Sequence, residues 1–390
     1  MVRYDPYDWG IHEDPYPTYR LLRDEAPLYH NEEFDFWALS RHQDVLNGFK
    51  DTVRLSNAKG VALESGVEAA QEVMSFLAMD PPRHGKIRGL VNRGFSPRRV
   101  KNLEPLIRGL ATHYIDAFIE KGECEFISEF AGKLPMDVIS EMVGVPPEDR
   151  DELRSWADLV VHREEGQSNV PPEGMAAAAN LIHYFSKHVT VRRTRPADDL
   201  TDALIAAEVD GERLDDKEIV AFLFLMVIAG NETTTKLLAN CLYWAGRFPD
   251  QRKLVLENPA LVQPWAEETL RFDPSSQLIA RTATCDIELH GRTIPEGARV
   301  ALLIGAANRD QRFWMNPDVL DIERDTQGSM SFGYGTHFCL GASLARLEAR
   351  ISLEELTGRL GSIEVHEDGA ERIHSSNVRG FAKLPIEFGR

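Results

Sequence analysis

Between Asp215 and Arg247 the sequence runs for about 30 residues without a proline, with apolar residues recurring at helical spacing. Asp215 and Glu218, three residues apart, have the form of a capping box, so a helix is predicted to begin there. At 1.5 Å per residue it would be roughly 45–50 Å long, enough to cross the whole molecule. From Ala221 to Ala229 it is apolar nearly all round and has to be buried. Whatever fold the chain adopts must enclose this helix.

The same periodicity predicts helices through 101–120, 133–143, 176–190, 217–247, 260–272 and 342–360. Strand-like sequence is confined to Phe36–Leu39, to Ile279–Leu303 and to a tail around Leu384–Phe388. Within the second, "IELHGRTIPEGARVALLI" reads as a hairpin with His290-Gly291 as its turn. Loops are expected at 56–75 and 163–174. No repeat, low-complexity tract or linker divides the 390 residues. The expectation is one domain over 1–390, mainly α with a small β portion.

Hydrophobic residues make up 43% of the chain, enough for a sizeable core. A net charge of −18 argues against nucleic acid as a partner. The polar start MVRYDPYDWG lacks the apolar region of a signal peptide, and Ala221–Ala229 falls well short of the roughly 20 residues that span a bilayer. A soluble, cytoplasmic protein without membrane attachment is expected. Cys124, Cys241, Cys285 and Cys339 form no CxxC pair, which speaks against disulfides and structural zinc.

Four stretches could carry chemistry. In "AGNETTT", residues 229–235, a glycine and three threonines sit where a helix tolerates them poorly. Either the helix makes a close crossing there, with threonine hydroxyls bonding back to the preceding turn, or its ladder opens and aims Glu232 and Thr233 at a small ligand. Glu268 and Arg271 in "EETLRF" can pair on one helical face, a common surface arrangement worth roughly 0.2–0.5 kcal/mol. Seven Lys or Arg and no acid occur between Pro81 and Lys101, with His84 and Arg88 on one helical face, which suggests either a solvated basic face or anion binding. Finally, "FGYGTHFCLG", 332–341, surrounds one thiol with glycines immediately before an amphipathic helix. A thiolate there is stabilised by unsatisfied N–H groups and the helix dipole, and the glycines let a flat macrocycle lie against the backbone. A thiolate ligand to haem iron combines these needs.

"FGYGTHFCLG" resembles the complete haem-binding signature of the cytochrome P-450 superfamily, F-G-x-G-x-H-x-C-x-G. "AGNETT" resembles that family's oxygen-activation segment, with Glu232 in the acid position and Thr233 in the alcohol position. Glu268 and Arg271 match its E-x-x-R pair, and "NRDQRFWMNPDVLDIER" resembles the meander whose Arg324 completes a Glu–Arg–Arg network, with Leu320 where the family often has an aromatic residue. "HGKIR" resembles the helix whose His84 and Arg88 hold a haem propionate, and Arg281 and His337 match the remaining propionate ligands. The resemblance runs through essentially the whole chain. It implies haem b between the long helix and the cysteine-loop helix, Cys339 as iron ligand, and Phe332, Gly333 and Gly341 against the macrocycle.

The implied function is that of a soluble bacterial haem-thiolate monooxygenase, placing one oxygen atom of O2 into a hydrophobic small molecule by hydroxylation or epoxidation, in a setting such as secondary metabolism. No flavin or nicotinamide-binding sequence is recognisable, so electrons are expected from a ferredoxin and its NAD(P)H-dependent reductase. Two rivals are a peroxide-driven haem-thiolate peroxygenase and a non-catalytic haem gas sensor. The resemblance assigns the substrate pocket to Ser56–Phe76, His162–His183, Phe222–Gly230, Ser275–Ile279 and Val378–Phe381. These walls are largely neutral, and Glu64, Glu68 and Glu72 in the first disfavour an anionic substrate, so a neutral, medium-sized hydrophobic molecule is expected.

Overall fold

In the computed structural model, which describes residues 2–64, 70–92, 94–209 and 211–389, the capping box forms as the sequence implies. The Asp215 carboxylate accepts from the Glu218 N–H at 2.8 Å, and the Glu218 carboxylate accepts from the Asp215 N–H at 3.1 Å. The central helix then runs unbroken over Asp216–Arg247 and ends before Pro249. It is the one helix among the described residues long and apolar enough to cross a membrane, and most of that stretch is buried inside the fold. Helices Leu134–Val143, Arg150–Val161, Pro172–Thr194, Val262–Phe272 and Ala342–Arg359 pack around it. The largest apolar core is shared among these elements.

The helix does not open at Gly230. A Cβ there would meet Ile139 of helix Leu134–Val143 at 3.6 Å, and the Thr235 hydroxyl donates to the Ala131 carbonyl at 3.0 Å. Thr233 donates back to the Ala229 carbonyl at 2.7 Å. The close-crossing reading is the one that describes the backbone. Gly230 weakens the helix locally by about 1 kcal/mol at most, which burial of the surrounding turns outweighs.

The β portion is a five-stranded sheet ordered Leu28–Asn31, Phe36–Leu39, Arg299–Leu303, Leu278–Ala283, Leu55–Ser56. Arg299–Leu303 pairs parallel with Phe36–Leu39 and antiparallel with Leu278–Ala283. His290 and Gly291 both have positive φ, 50° and 70°, as a two-residue hairpin turn between Ile287–Leu289 and Arg292–Ile294 requires. The tail strand Pro385–Gly389 pairs with Ser362–Val365 on one side and with Glu123–Glu125 on the other. The expected loop 56–75 contains a helical turn at Gln71–Met74, and helix Pro172–Thr194 begins inside the expected loop 163–174.

Candidate active site

Cys339 lies two residues ahead of Gly341, the N-cap of helix Ala342–Arg359. Gly333 and Gly335 take positive φ, 68° and 70°, and turn the chain so that the Cys339 N–H donates to the Phe332 carbonyl at 2.9 Å. Gly341 has an ordinary φ of −83°, and a Cβ there would meet nothing within 4 Å, so its surroundings are open. The Arg346 guanidinium covers the Phe332 ring at 4.4 Å from its centroid. Cys339 is set deep in the fold, yet its side chain is solvent-accessible. Burial pushes the thiol up, while the Gly341 and Ala342 N–H groups and the Arg88 and Arg346 guanidiniums act to favour the thiolate. By contrast Cys124 and Cys241 are buried, and burial pushes Cys241 up to about 12.

Beside this loop a set of donors lacks acceptors. The His84 and His337 rings lie 4.0 Å apart at their centroids, tilted by 47°, and among the described residues none of their four ring nitrogens has a hydrogen-bond partner. Burial lowers His84 to about 4 and His337 to about 3, and the neighbouring cations Arg88 and Arg281 push the same way. Among the described residues Arg281, 3% exposed, donates only to the adjacent Ala280 carbonyl, and burial lowers it to about 10. Arg88 reaches the Phe338 carbonyl at 2.5 Å. Among the described residues Asp80 is the carboxylate that acts on His84 and Arg281, and it is already bonded to Ser56 and to the Asn57 N–H. Buried polar groups left without partners are costly, so the ring nitrogens of His84 and His337, beside the Arg88 and Arg281 guanidiniums, favour carboxylate groups arriving from a ligand. An open thiol, a glycine-lined surface and four convergent donors fit haem b, with its iron and two propionates.

On the central helix, Ala229 is exposed and Ile228, Gly230 and Thr233 are half-exposed, an open stripe in an otherwise buried span. Glu232 takes a different course from its neighbour Thr233. It is 1% exposed, with the Lys236 ammonium at 3.3 Å and the Asn231 amide donating at 3.2 Å. The structure therefore does not aim Glu232 and Thr233 at one point.

Glu268 and Arg271 are far from a surface pair, since both side chains are wholly buried. Two parallel bonds of 2.7 Å join them. Arg324 adds a third contact to Glu268 at 3.2 Å and also donates to the Met315, Asn316 and Val319 carbonyls. Arg271 also donates to the Asn308 and Pro317 carbonyls, both at 2.9 Å. Asn308 then reaches the cysteine loop: its side-chain oxygen accepts from the Met330 N–H at 2.9 Å and its amide donates to the Ser331 hydroxyl at 2.8 Å. This connection through Asn308 and Ser331 has no sequence signal of its own.

The basic run divides. Arg83 pairs with Glu212 and Glu218, and Lys86 lies 4.0 Å from Glu212. Arg98, Arg99 and Lys101 are exposed on helix Pro97–Asn102, which packs against the cysteine-loop helix. Arg93 lies outside the described residues, as does Glu68. The assigned pocket walls do meet: the Phe76 and Phe222 rings are 6.2 Å apart, Ser276 bridges Val378, and Glu64 pairs with Arg163 at 2.7 Å. That pairing neutralises Glu64, so it does not act as a free negative charge in the pocket.

A sequence-family model described as Cytochrome P450 matches residues 255–385. The chain is 55% identical over 385 residues, 98% of its length and 96% of the other's, to the Mycobacterium tuberculosis protein named cytochrome P450 123. It is 37% identical over 397 residues, 99% of this chain and 97% of the other, to the vitamin D(3) 25-hydroxylase of Pseudonocardia autotrophica. Its fold superimposes on CYP109E1 from Bacillus megaterium, solved in complex with testosterone, with a TM-score of 0.89 and 30% identity, covering 98% of this chain and 99% of that one.

Proposed function

This chain belongs to the cytochrome P450 family, whose proteins carry haem b and are monooxygenases, and from that premise we propose that it oxidises a neutral, medium-sized hydrophobic molecule with electrons from a separate ferredoxin. The observation that carries the reading is the accessible Cys339 thiol set beside the unpartnered donors of His84 and His337. When bound, haem b activates O2 so that one oxygen atom can be placed on substrate. Cys339 would hold the iron, and His84, Arg88, Arg281 and His337 the propionates. Phe332, Gly333 and Gly341 would lie against the macrocycle. Glu268, Arg271 and Arg324 brace the loop through Asn308.

Substrate would be enclosed by the apolar walls around Phe76 and Phe222. The vitamin D(3) and testosterone of the relatives favour a sterol-sized neutral molecule. Titrating neutral steroids and long-chain fatty acids against the haem absorption band tests this. Steroids should shift the band at micromolar concentration, and a shift by fatty acids alone would overturn the substrate class.

Thr233 would move a proton at its Oγ1, exchanging its present bond to the Ala229 carbonyl for one to the oxygen side of the site, and Glu232 would resupply it after turning from Lys236 toward Thr233. Thr233→Ala should bind haem and substrate normally yet release most of its electrons as peroxide. Equal product per NAD(P)H in the variant and the wild type would remove this role.

Arg98, Arg99 and Lys101 form a basic patch on an acidic molecule and would steer an acidic ferredoxin to the face carrying the cysteine loop. Arg98→Glu with Arg99→Glu should slow ferredoxin-driven reduction about tenfold at low salt and flatten its salt dependence, with substrate affinity unchanged. Reduction rates insensitive to both charge reversal and salt would place the docking surface elsewhere.

A further inference from the structure

We propose that Asp273 is a positioning residue for substrate: through Arg379 it fixes the gap between chain segments 275–279 and 378–381, and so decides what size of molecule fits there. The inference rests on the reading that places a neutral hydrophobic substrate between these segments, and adds to it the residue that sets their spacing. Both segments reach the site. The first runs on into strand Leu278–Ala283, which carries Arg281. The second lies directly on the central helix, since a Cβ at Gly380 would collide with Lys236, three residues beyond Thr233.

The chain leaves helix Val262–Phe272 at Asp273, whose side chain is wholly buried. Its Oδ1 accepts from the Tyr16 hydroxyl at 2.6 Å and from Arg379 Nε at 2.7 Å, and its Oδ2 accepts from the Trp244 indole N–H at 2.9 Å. Arg372 stands 3.8 Å from Oδ2, and its Nη1 has no hydrogen bond among the described residues. The Arg372 guanidinium lies 3.8 Å from the centroid of the Phe381 ring, part of the second segment. Burial works against the Asp273 charge, yet Arg379, Arg372, the Tyr16 hydroxyl and Arg309 hold it down to about 2. It is therefore ionised throughout the neutral range and balances Arg379.

The backbone on either side of this ion pair joins the two segments. The Arg379 N–H donates to the Ser275 carbonyl and the Gln277 N–H to the Asn377 carbonyl, both at 2.8 Å, and Ser276 bridges Val378. From the central helix, the Asn240 amide donates to the Asp273 carbonyl at 3.0 Å and to the Arg379 carbonyl at 3.4 Å. The Arg379 guanidinium goes on to the His12 and Glu13 carbonyls, so it is held at both ends. Asp273 itself cannot touch substrate. Its charge acts by keeping Arg379 drawn in, and with it Val378, Gly380 and Phe381. Removing one partner of a buried ion pair leaves the other charge uncompensated, and a wall displaced by about 1 Å changes what fits.

The test titrates imidazole, butylimidazole and octylimidazole against the absorption band of the haem-loaded protein. It compares wild type, Asp273→Asn, Arg379→Lys, their double variant and Trp244→Phe. Imidazole needs only the iron and should bind all of them alike, whereas an alkyl chain needs the walls. The gain in affinity from the octyl chain should fall about tenfold in Asp273→Asn and in Arg379→Lys. It should fall no further in the double variant, because both changes break the same tie. Trp244→Phe also removes a bond to Asp273, but one that reaches neither segment, so it should lower Tm and leave the octyl gain intact. An octyl gain equal to that of wild type in both single variants would overturn the proposal. So would an equal loss in Trp244→Phe, which would mark general loosening. If Asp273→Asn does not retain haem, Arg379→Lys, which keeps a cation in place, decides the matter. Failure of the monooxygenase reading is separately visible as wild-type protein that makes no product, a result the azole titration does not depend on.

Discussion

Glu268→Ala should lower stability by about 3–5 kcal/mol, the range expected when one partner of a buried ion pair is removed. Glu268 meets Arg271 through two bonds of 2.7 Å and Arg324 through one of 3.2 Å, and it also accepts from the Asp321 N–H at 3.0 Å. Without the carboxylate, a fully buried guanidinium keeps only carbonyl partners and faces a second cation. In a chain of this size the loss corresponds to a fall in Tm on the order of 4–6 °C. The damage should reach the cysteine loop, because Arg271 holds the Asn308 carbonyl and Asn308 holds Met330 and Ser331. Haem content after purification should drop together with Tm, and Glu268→Gln, which keeps an acceptor but loses the charge, should fall between. Unchanged melting and full haem content in Glu268→Ala would mean that the network does not support the loop.

Cys339→Ala should abolish product formation. Its sulfur is accessible, faces the N–H groups of Gly341 and Ala342, and lies near Arg88 and Arg346, so a thiolate is supported there. The other cysteines have no such setting. Burial raises Cys124 and Cys241, and Cys285 follows strand Leu278–Ala283 away from any helix N-terminus. Because the loop is held by backbone bonds such as Cys339 N–H to the Phe332 carbonyl, the alanine variant should remain folded. Loss of activity would then report the missing sulfur and not a collapsed loop.

The features legible in the sequence are those fixed by neighbours along the chain. The Asp215–Glu218 box, the His290-Gly291 turn and the glycines before Cys339 each depend on a few consecutive backbone angles. Gly230 was legible only as a local weakness, since what decides its conformation is the fit against Ile139, a residue far away in the chain. The burial of Glu268 and Arg271 is invisible for the same reason: their i, i+3 spacing is shared with any surface pair, and the elements that cover them come from 308–324. The pairing of Glu64 with Arg163 likewise joins residues distant in sequence and removes a charge that composition alone counts as free.

The account stands on Cys339 as the iron ligand, and the reduced, CO-bound absorption spectrum tests it most directly. Wild type, and a variant with Cys124, Cys241 and Cys285 all replaced by alanine, should show the red-shifted band of a thiolate-ligated haem, and Cys339→Ala should lose it. A band that survives in Cys339→Ala and disappears in Cys124→Ala would contradict the assignment.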